Sequence, residues 1–465
     1  MAEFTLERTP LRARTRAALA QPLLRQNLRR VTDRFMQVRA AAFAQLADAE
    51  ALRATARALR ARTLARLPEL LEQFADRLLA SGAHVHWASD AASARRYIGQ
   101  VAARHGARKV VKSKSMASEE IGLNRYLEGL GVQVVETDLG EWIIQLADEM
   151  PSHILAPAIH KDRRQIAALF GQVAGSPLPE EPARLTAFAR ARLREEFLSA
   201  DMGISGVNFG VAASGSLVLV TNEGNGRLVT SLPRVHVAVM GMERLVADLA
   251  ELDVLLALLA RSATGQPLSC YTSIITGPRR PEEADGPEEL HVVILDNGRS
   301  ALLGSEFQEA LHCIRCGACL NVCPVYRQIG GHAYGWVYSG PIGAVLTPLL
   351  LPASAAAQEL PSASSLCGAC WQACPVGIPL QDLLLALRRR RPPEGATERL
   401  AWRAWARLWA SPRLYRWSLR ALHALAPLAR LPGVGRLPLV SRWATGRALP
   451  PLPSRGFRDW WRENG

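Results

Sequence analysis

Seven of the chain's eight cysteines lie between positions 313 and 374, in two runs that both end in Cys-Pro. The first run is Cys313-Ile-Arg-Cys316-Gly-Ala-Cys319-Leu-Asn-Val-Cys323-Pro324, a C-x2-C-x2-C-x3-C-P pattern. Three thiolates on one tight turn can grip three irons of a [4Fe–4S] cube, while the fourth, carried onto the next helix, ligates a second cube. The second run, Cys367-Gly-Ala-Cys370-Trp-Gln-Ala-Cys374-Pro375, is the reciprocal half. Zinc sites pair Cys-x2-Cys with a second Cys or His pair and have no use for the Cys-Pro terminus. Two iron–sulfur clusters are therefore expected.

The ligand count is uneven. In the crossed scheme Cys374 completes the set Cys313, Cys316 and Cys319, whereas Cys323 joins only Cys367 and Cys370. Counting back from Cys374 in ferredoxin register, the missing ligand falls at Ser364. A serine oxygen, a water, a distant residue or a partner's cysteine can fill that corner, or none, which leaves a [3Fe–4S] cluster; Ser364 also reads as a plain loop serine. The eighth cysteine, Cys270 in Leu-Ser-Cys-Tyr-Thr, reads as a small buried hydrophobe rather than a ligand.

At 465 residues, 49% hydrophobic and 21% charged, the chain can form two or three domains, each with its own core. The longest apolar runs, 254–260 and 345–351, fall short of the ~18 residues of a membrane span. The first residues, Met-Ala-Glu-Phe-Thr-Leu-Glu, lack the pattern of an export signal, and reduced cysteines committed to metal fit a cytoplasmic setting. Charge is lopsided. From position 388 onward, 17 arginines face four acidic residues, a net of +13 out of the total +14. The first 387 residues are thus nearly balanced, at +1.

Four segments must position these groups. Residues 1–66 are Ala/Leu/Arg-rich with helical spacing, which continues to about position 80. Residues 67–299 alternate strands and helices, the mark of an α/β layer with parallel pairing. Strands are expected at 109–111, 131–135, within 206–220, and at 235–240, 269–276 and 291–295, with helices at 118–130 and 243–260. Residues 300–390 carry the cysteines, with short helices after each Cys-Pro, the second over 377–387. Residues 388–394 read as a linker in which Pro392-Pro393 blocks helix continuation, and 391–465 form a basic, Trp-rich helical region.

Other groups are also site candidates. Lys112-Ser-Lys114-Ser follows a strand and precedes a helix, the place where open α/β sheets bind ligands, so Lys112 and Lys114 are anion-site candidates against a plain basic loop. Asn222-Glu-Gly-Asn-Gly-Arg227 offers either an anion nest or a hairpin turn, with Arg227 the residue of interest. His153 and His160 join no ligand pattern and read as ordinary surface or partly buried histidines. In the tail, Trp402, Trp405 and Trp409 at helical spacing, then Tyr415 and Trp417, suit a partner subunit or an anionic membrane surface; without a nucleic-acid motif, nucleic acid is the weakest reading.

Asp201-Met-Gly-Ile-Ser-Gly-Val-Asn-Phe-Gly-Val-Ala and Gly215-Ser-Leu-Val-Leu-Val-Thr-Asn-Glu-Gly-Asn-Gly-Arg227 resemble the lactate-utilisation (LUD) domain. Together with the two cysteine runs, the whole chain resembles the lactate-utilisation protein B family. The resemblance implies an NagB/CoA-transferase-like α/β domain, then a helical ferredoxin-type module with two [4Fe–4S] clusters, then the helical Arg/Trp-rich segment. It also implies that a missing eighth cysteine is usual, and that the chain is the iron–sulfur subunit of a three-component system oxidising L-lactate to pyruvate. The sequence has no G-x-G-x-x-G fingerprint, flavin signature or catalytic triad, which suits an electron carrier better than a complete enzyme. Two rivals stand beside that reading: a LUD domain that itself binds and helps oxidise the 2-hydroxy acid, and a cluster-bearing nucleic-acid protein. Partners are expected among the other subunits, in the cytoplasm or at the inner face of the membrane.

Overall fold

The computed structural model describes residues 7, 9–391, 395–425 and 456–465. Outside these lie positions 1–6 and 8 of the N-terminal stretch, Pro392, Pro393 and Glu394 of the expected linker, and 426–455 of the tail, including Trp443. Ten strands follow in chain order: β1 (His84–Ala88), β2 (Lys109–Lys112), β3 (Gln133–Glu136), β4 (Met202–Gly206), β5 (Phe209–Val211), β6 (Ser216–Thr221), β7 (Val235–Gly241), β8 (Leu245–Val246), β9 (Tyr271–Ile275) and β10 (Glu289–Leu295). Six form an all-parallel sheet in the order β1-β10-β7-β4-β2-β3. The central strand β7, Val-His-Val-Ala-Val-Met-Gly, is buried at every position, as a parallel strand covered on both faces requires. A smaller sheet, β8-β5-β6-β9, packs beside it.

Parallel pairing sends the carboxyl ends of β2, β3, β4, β7 and β10 to one edge, so the loops after them gather Lys114, Asp138, Asn208, Glu243 and Arg299 there. Ligands bind at this edge in open α/β sheets. Four helices precede the sheet: Leu11–Leu19, Pro22–Ala44, Ala49–Ala65 and Leu67–Ala80. Asp48 starts the third by accepting the Ala51 N–H at 2.8 Å. The cysteine module follows β10 as short helices, among them Ala318–Val322, Tyr326–Ile329, Gly340–Leu350, Ala369–Ala373 and Leu380–Arg390. Leu28 and Ala56 of the N-terminal helices share one apolar core with Phe209 and Val218 of the small sheet and with Leu320, Tyr326 and Leu384 of the cysteine module. The described residues up to Arg390 accordingly make one compact unit, and those from Arg391 a second. The second unit contains the helices Ala396–Ala410, Pro412–Leu425 and Phe457–Asn464, and its Trp402, Trp405, Trp409 and Trp417 are all exposed. No helix among the described residues is long and apolar enough to cross a membrane.

Several local expectations are corrected. The single helix over 118–130 is two short ones, Met116–Glu120 and Leu123–Glu128, because Gly122 turns left-handed at φ 62°. The helix expected from 243 begins later, at Leu249, after β8. Asn222–Arg227 forms no hairpin: β6 runs into the helix Asn225–Ser231. Arg388, placed in a linker, lies in the helix Leu380–Arg390 and donates to the carbonyls of Pro361 and Ser364 at 2.8 and 2.6 Å. Neither β1 nor β8 was anticipated.

His236, inside β7, is fully buried and shares a 2.7 Å hydrogen bond with Ser205. Burial, then the neighbouring His291, lowers its pKa from 6.5 to about 3. Above pH 6.5 the unfolded histidine is also neutral; as pH falls from 6.5 toward 3, the unfolded chain takes up a proton that the folded one refuses, so stability is lost across that window. The urea midpoint should fall between pH 7 and pH 4, and His236→Asn should flatten that dependence.

Candidate functional site

The two cysteine runs fold as a structural repeat. Gly317 and Gly368 adopt left-handed φ values of 72° and 81°, and each turns the chain into a five-residue helix, Ala318–Val322 and Ala369–Ala373. Just before Cys316 and Cys367, Arg315 and Leu366 are also left-handed, at 59° and 55°, which is uncommon for residues with a Cβ. The Arg315 N–H donates to Cys313 Sγ at 3.4 Å, and the Leu366 N–H donates to Ser364 Oγ at 3.1 Å. Ser364 Oγ thus accepts in the second turn the contact that Cys313 Sγ accepts in the first.

Cys313, Cys316, Cys319 and Cys374 line one small cavity with Ile314, Ile342, Val376 and Ile378. Cys323 lies within electrostatic reach of Cys367, and Cys370 within reach of both. All seven thiols are free of disulfides. Burial, followed by neighbouring sulfurs, pushes Cys316 up to about 12; burial likewise pushes Cys370 to about 12 and Cys374 to about 11. Cys367 is exposed and shifts the other way, lowered first by the Ala369 N–H and then by the Ser365 hydroxyl. Backbone N–H groups of Tyr326 and Ile378 reach Cys323 Sγ and Cys374 Sγ at 3.5 and 3.4 Å. Crowded sulfurs with apolar walls and backbone donors fit iron–sulfur ligation well.

Against the first run lies a second cavity, of about 240 Å³, between the carboxyl edge of the large sheet and the cysteine module. Its walls include Lys114, Asp138, Glu223, Glu243, Arg244, Arg299, Arg315 and Tyr338. A buried charge network holds the junction. Arg299 forks onto Glu120 with bonds of 2.9 and 2.7 Å, and Tyr338 and Asn297 donate to the same carboxylate at 2.6 and 2.7 Å. Arg299 Nε approaches Glu243 Oε2 at 2.8 Å, an ion contact off the line of a good hydrogen bond, and Arg315 Nη2 stands 3.6 Å from Glu243 Oε1. Glu243 is driven down to about 2: burial opposes ionisation, but Arg299, Arg244 and Arg315 outweigh it. Arg244 donates to the Cys313 carbonyl at 3.0 Å. Without a Cβ, Gly241 leaves the room that Glu243 Oε2 and Arg299 Nε occupy, since a Cβ there would lie 2.3 and 2.9 Å from them.

The structure separates the three anion-site candidates. Lys112 is 1% exposed and paired with Glu119 and Glu136 at 2.5 and 2.7 Å. Burial alone would lower its pKa, but the two carboxylates raise it, so its charge is already matched. Arg227 is exposed on the helix Asn225–Ser231 and is not among the cavity's walls. Lys114 does line the cavity. His153 is fully buried rather than near the surface. Its Nδ1 accepts the Leu155 N–H at 3.0 Å, which assigns the ring proton to Nε2, facing Asn321 Oδ1 at 3.1 Å. His160 meets Glu149 at 2.5 Å. Cys270 is exposed, not a buried hydrophobe, because it precedes β9 at the open edge of the small sheet. Sequence reading missed Arg315, Arg299, Glu243 and Glu120; only Arg315, embedded in the cysteine run, carried a signal.

Residues 71–295 match the LUD domain, residues 309–378 a 4Fe-4S dicluster domain, and residues 387–465 the C-terminal domain of lactate utilisation protein B. Lactate utilization protein B of Shouchella clausii is 48% identical over 463 residues, covering 97% of this chain and 96% of that one. The chain belongs to the lactate utilization protein B family. Other relatives are lactate utilization protein B of Geobacillus kaustophilus and the uncharacterized electron transport protein YkgF of Escherichia coli, each 46% identical and covering 98% of this chain and 97% of theirs. The matched dicluster domain and the cysteines clustered in it support an iron–sulfur cofactor for this chain.

Removing one partner of a buried ion pair costs about 3–5 kcal/mol, whereas an exposed pair is worth under about 1 kcal/mol. Arg299→Met should therefore destabilise the protein by about 3–5 kcal/mol. Arg57→Met, which breaks the largely exposed 2.8 Å pair with Glu309, should cost under about 1 kcal/mol; urea titration of both variants distinguishes the two.

Proposed function

We propose that this chain is the iron–sulfur electron-transfer subunit of a multi-component system that oxidises L-lactate to pyruvate. The observation that carries the reading is the pair of sulfur groupings in one compact unit, Cys313/Cys316/Cys319/Cys374 in a shared cavity and Cys323 beside Cys367 and Cys370. Close relatives named for lactate utilization, and one named as an electron transport protein, supply the fuel and the role. When bound, iron–sulfur clusters take up and give back single electrons at potentials set by ligand charge, hydrogen bonds to sulfur and exposure.

The residues divide that work. Cys313, Cys316, Cys319 and Cys374 hold one [4Fe–4S] cluster, and Cys323, Cys367 and Cys370 hold the other, with Ser364 Oγ at the fourth corner. Support for Ser364 is its match to Cys313 in the repeat. The first set is mostly buried and lined by isoleucines, which keeps water from its sulfurs; Cys367 at the second set is exposed and open to a partner. The basic unit from Arg391 onward, with exposed tryptophans at 402, 405, 409, 417, 460 and 461, suits docking to the other subunits or to an anionic membrane surface in the cytoplasm. A second reading, in which the LUD domain itself receives the 2-hydroxy acid, is favoured by one observation: Lys114 lines a cavity against the first cysteine run.

Cluster-reconstituted protein should show no reduction by L-lactate alone and should be reduced once the other components are supplied, with a chain truncated after Arg391 failing in that second assay. Turnover of lactate by this chain alone would replace the first reading by the second. In electron paramagnetic resonance, Cys374→Ala should remove the Cys313-side signal and Cys323→Ala the other. Mild oxidation should give a [3Fe–4S] signal from the Cys323 site first, and Ser364→Cys should suppress it; equal resistance of the two sites would mean a stronger fourth ligand than serine.

A further inference from the structure

We infer that the cavity between the sheet's carboxyl edge and the first cysteine run is a binding site for a small organic monocarboxylate, held by Lys114 and Arg315. The inference deepens the second reading above, since it assigns the LUD domain a ligand, but it requires no turnover. Lys114 Nζ is buried and makes no hydrogen bond, its nearest carboxylate being Glu141 at 3.7 Å. Arg315, with a side chain 9% exposed, likewise leaves Nη1 buried and without a partner. Both line the same cavity. A buried cationic donor left unsatisfied is costly, and two of them lining one space point to an anion that accepts from both.

Charge and size narrow the class. The walls bring four cations, Lys114, Arg244, Arg299 and Arg315. Arg299 is matched by Glu120, and Glu243 offsets a second cation. Asp138 and Glu223 also line the cavity, and Glu223 is raised to about 7 by burial, then by Asp138, so its carboxyl is about half protonated near neutrality. Behind Lys114, Glu141 is raised to about 8, by burial before any other cause, and is mostly protonated at pH 7. Four cations against Glu120, Glu243, Asp138 and a half-protonated Glu223 leave less than one positive charge, which matches a monoanion rather than a phosphate dianion. At about 240 Å³ the space lies below the roughly 300–1,000 Å³ of drug-sized sites, so it suits an acid of a few carbons and excludes a flavin or a nucleotide. The Asp138 and Glu223 carboxyls line the same cavity, where their oxygens can accept from a hydroxyl on such an acid and a protonated Glu223 can donate to a carbonyl. Arg315 lies two residues after Cys313 and one before Cys316, so an anion on its guanidinium stands beside the first cysteine run. Binding should therefore register in the spectrum of the Cys313-side cluster without any bond being made or broken.

The test is calorimetric titration of full-length, cluster-reconstituted protein with acetate, L-lactate, pyruvate and inorganic phosphate, with paramagnetic resonance of the reduced protein at each end point. Saturable one-to-one binding of L-lactate or pyruvate is expected, with a changed line shape of the Cys313-side signal. Lys114→Met should weaken binding at least tenfold, Lys114→Arg should retain most of it, and Arg227→Met should leave it unchanged. If Lys114→Met loses its iron, Lys114→Arg carries the decision: intact iron with no binding overturns the site. Absence of saturable binding by every carboxylate, tighter binding of phosphate, or equal loss in Arg227→Met also overturns it. Carboxylate binding with no turnover by this chain alone leaves the site standing while the LUD-oxidation reading falls.

Discussion

The junction between sheet and cysteine module rests on one buried electrostatic arrangement, Glu120–Arg299–Glu243–Arg315. Its members come from the helix after β2, the loop after β10, the turn after β7 and the first cysteine run. Taking charges out of water costs several kcal/mol each, and only multiple good contacts return it. Here they are present: Glu120 is reached by Arg299, Tyr338 and Asn297, and Glu243 is surrounded by three guanidinium groups. Arg60 adds a fully buried guanidinium that donates to the carbonyls of Leu245, Glu243 and Leu311, tying an N-terminal helix to the same place. Apolar contact has no direction, whereas each of these charges is matched only by partners placed as they are here.

That constraint reaches the first cysteine run through Arg315. Its left-handed backbone, costing roughly 1–2 kcal/mol, lets its N–H point at Cys313 Sγ while its side chain is drawn to Glu243 and over the Tyr338 ring at 4.5 Å. One residue thus shapes the cysteine turn, locks it to the sheet and faces the anion cavity. Leu366 holds the equivalent conformation in the second turn without any such anchor, and Cys367 beside it is exposed. The two halves share a backbone but differ in their surroundings: the Cys313 side is built into the α/β domain, and the Cys367 side faces outward.

The chemistry of the cysteines was determined by sequence alone, because ligand spacing on a tight turn is a local property. The same holds for the strand–helix alternation, since β2, β3, β7 and β10 announce themselves by short apolar, β-branched runs. What tertiary structure decided is which polar groups meet. Lys112 and Lys114 are equivalent on paper, yet Lys112, the last residue of β2, is enclosed by Glu119 and Glu136, while Lys114, two residues further on, enters the cavity. Arg227 looked like part of the same site, but a helix carries it to the surface. Cys270 looked buried in an apolar stretch, but that stretch forms an edge strand with one side unpaired. Glu120, Glu243, Arg299 and Arg315 carry no pairwise signal, for they lie up to 195 positions apart and converge only because five parallel strands end at one edge. Spacing along the chain fixes contacts within a turn; contacts across the fold depend on sheet order, and sheet order is set by how the whole core packs.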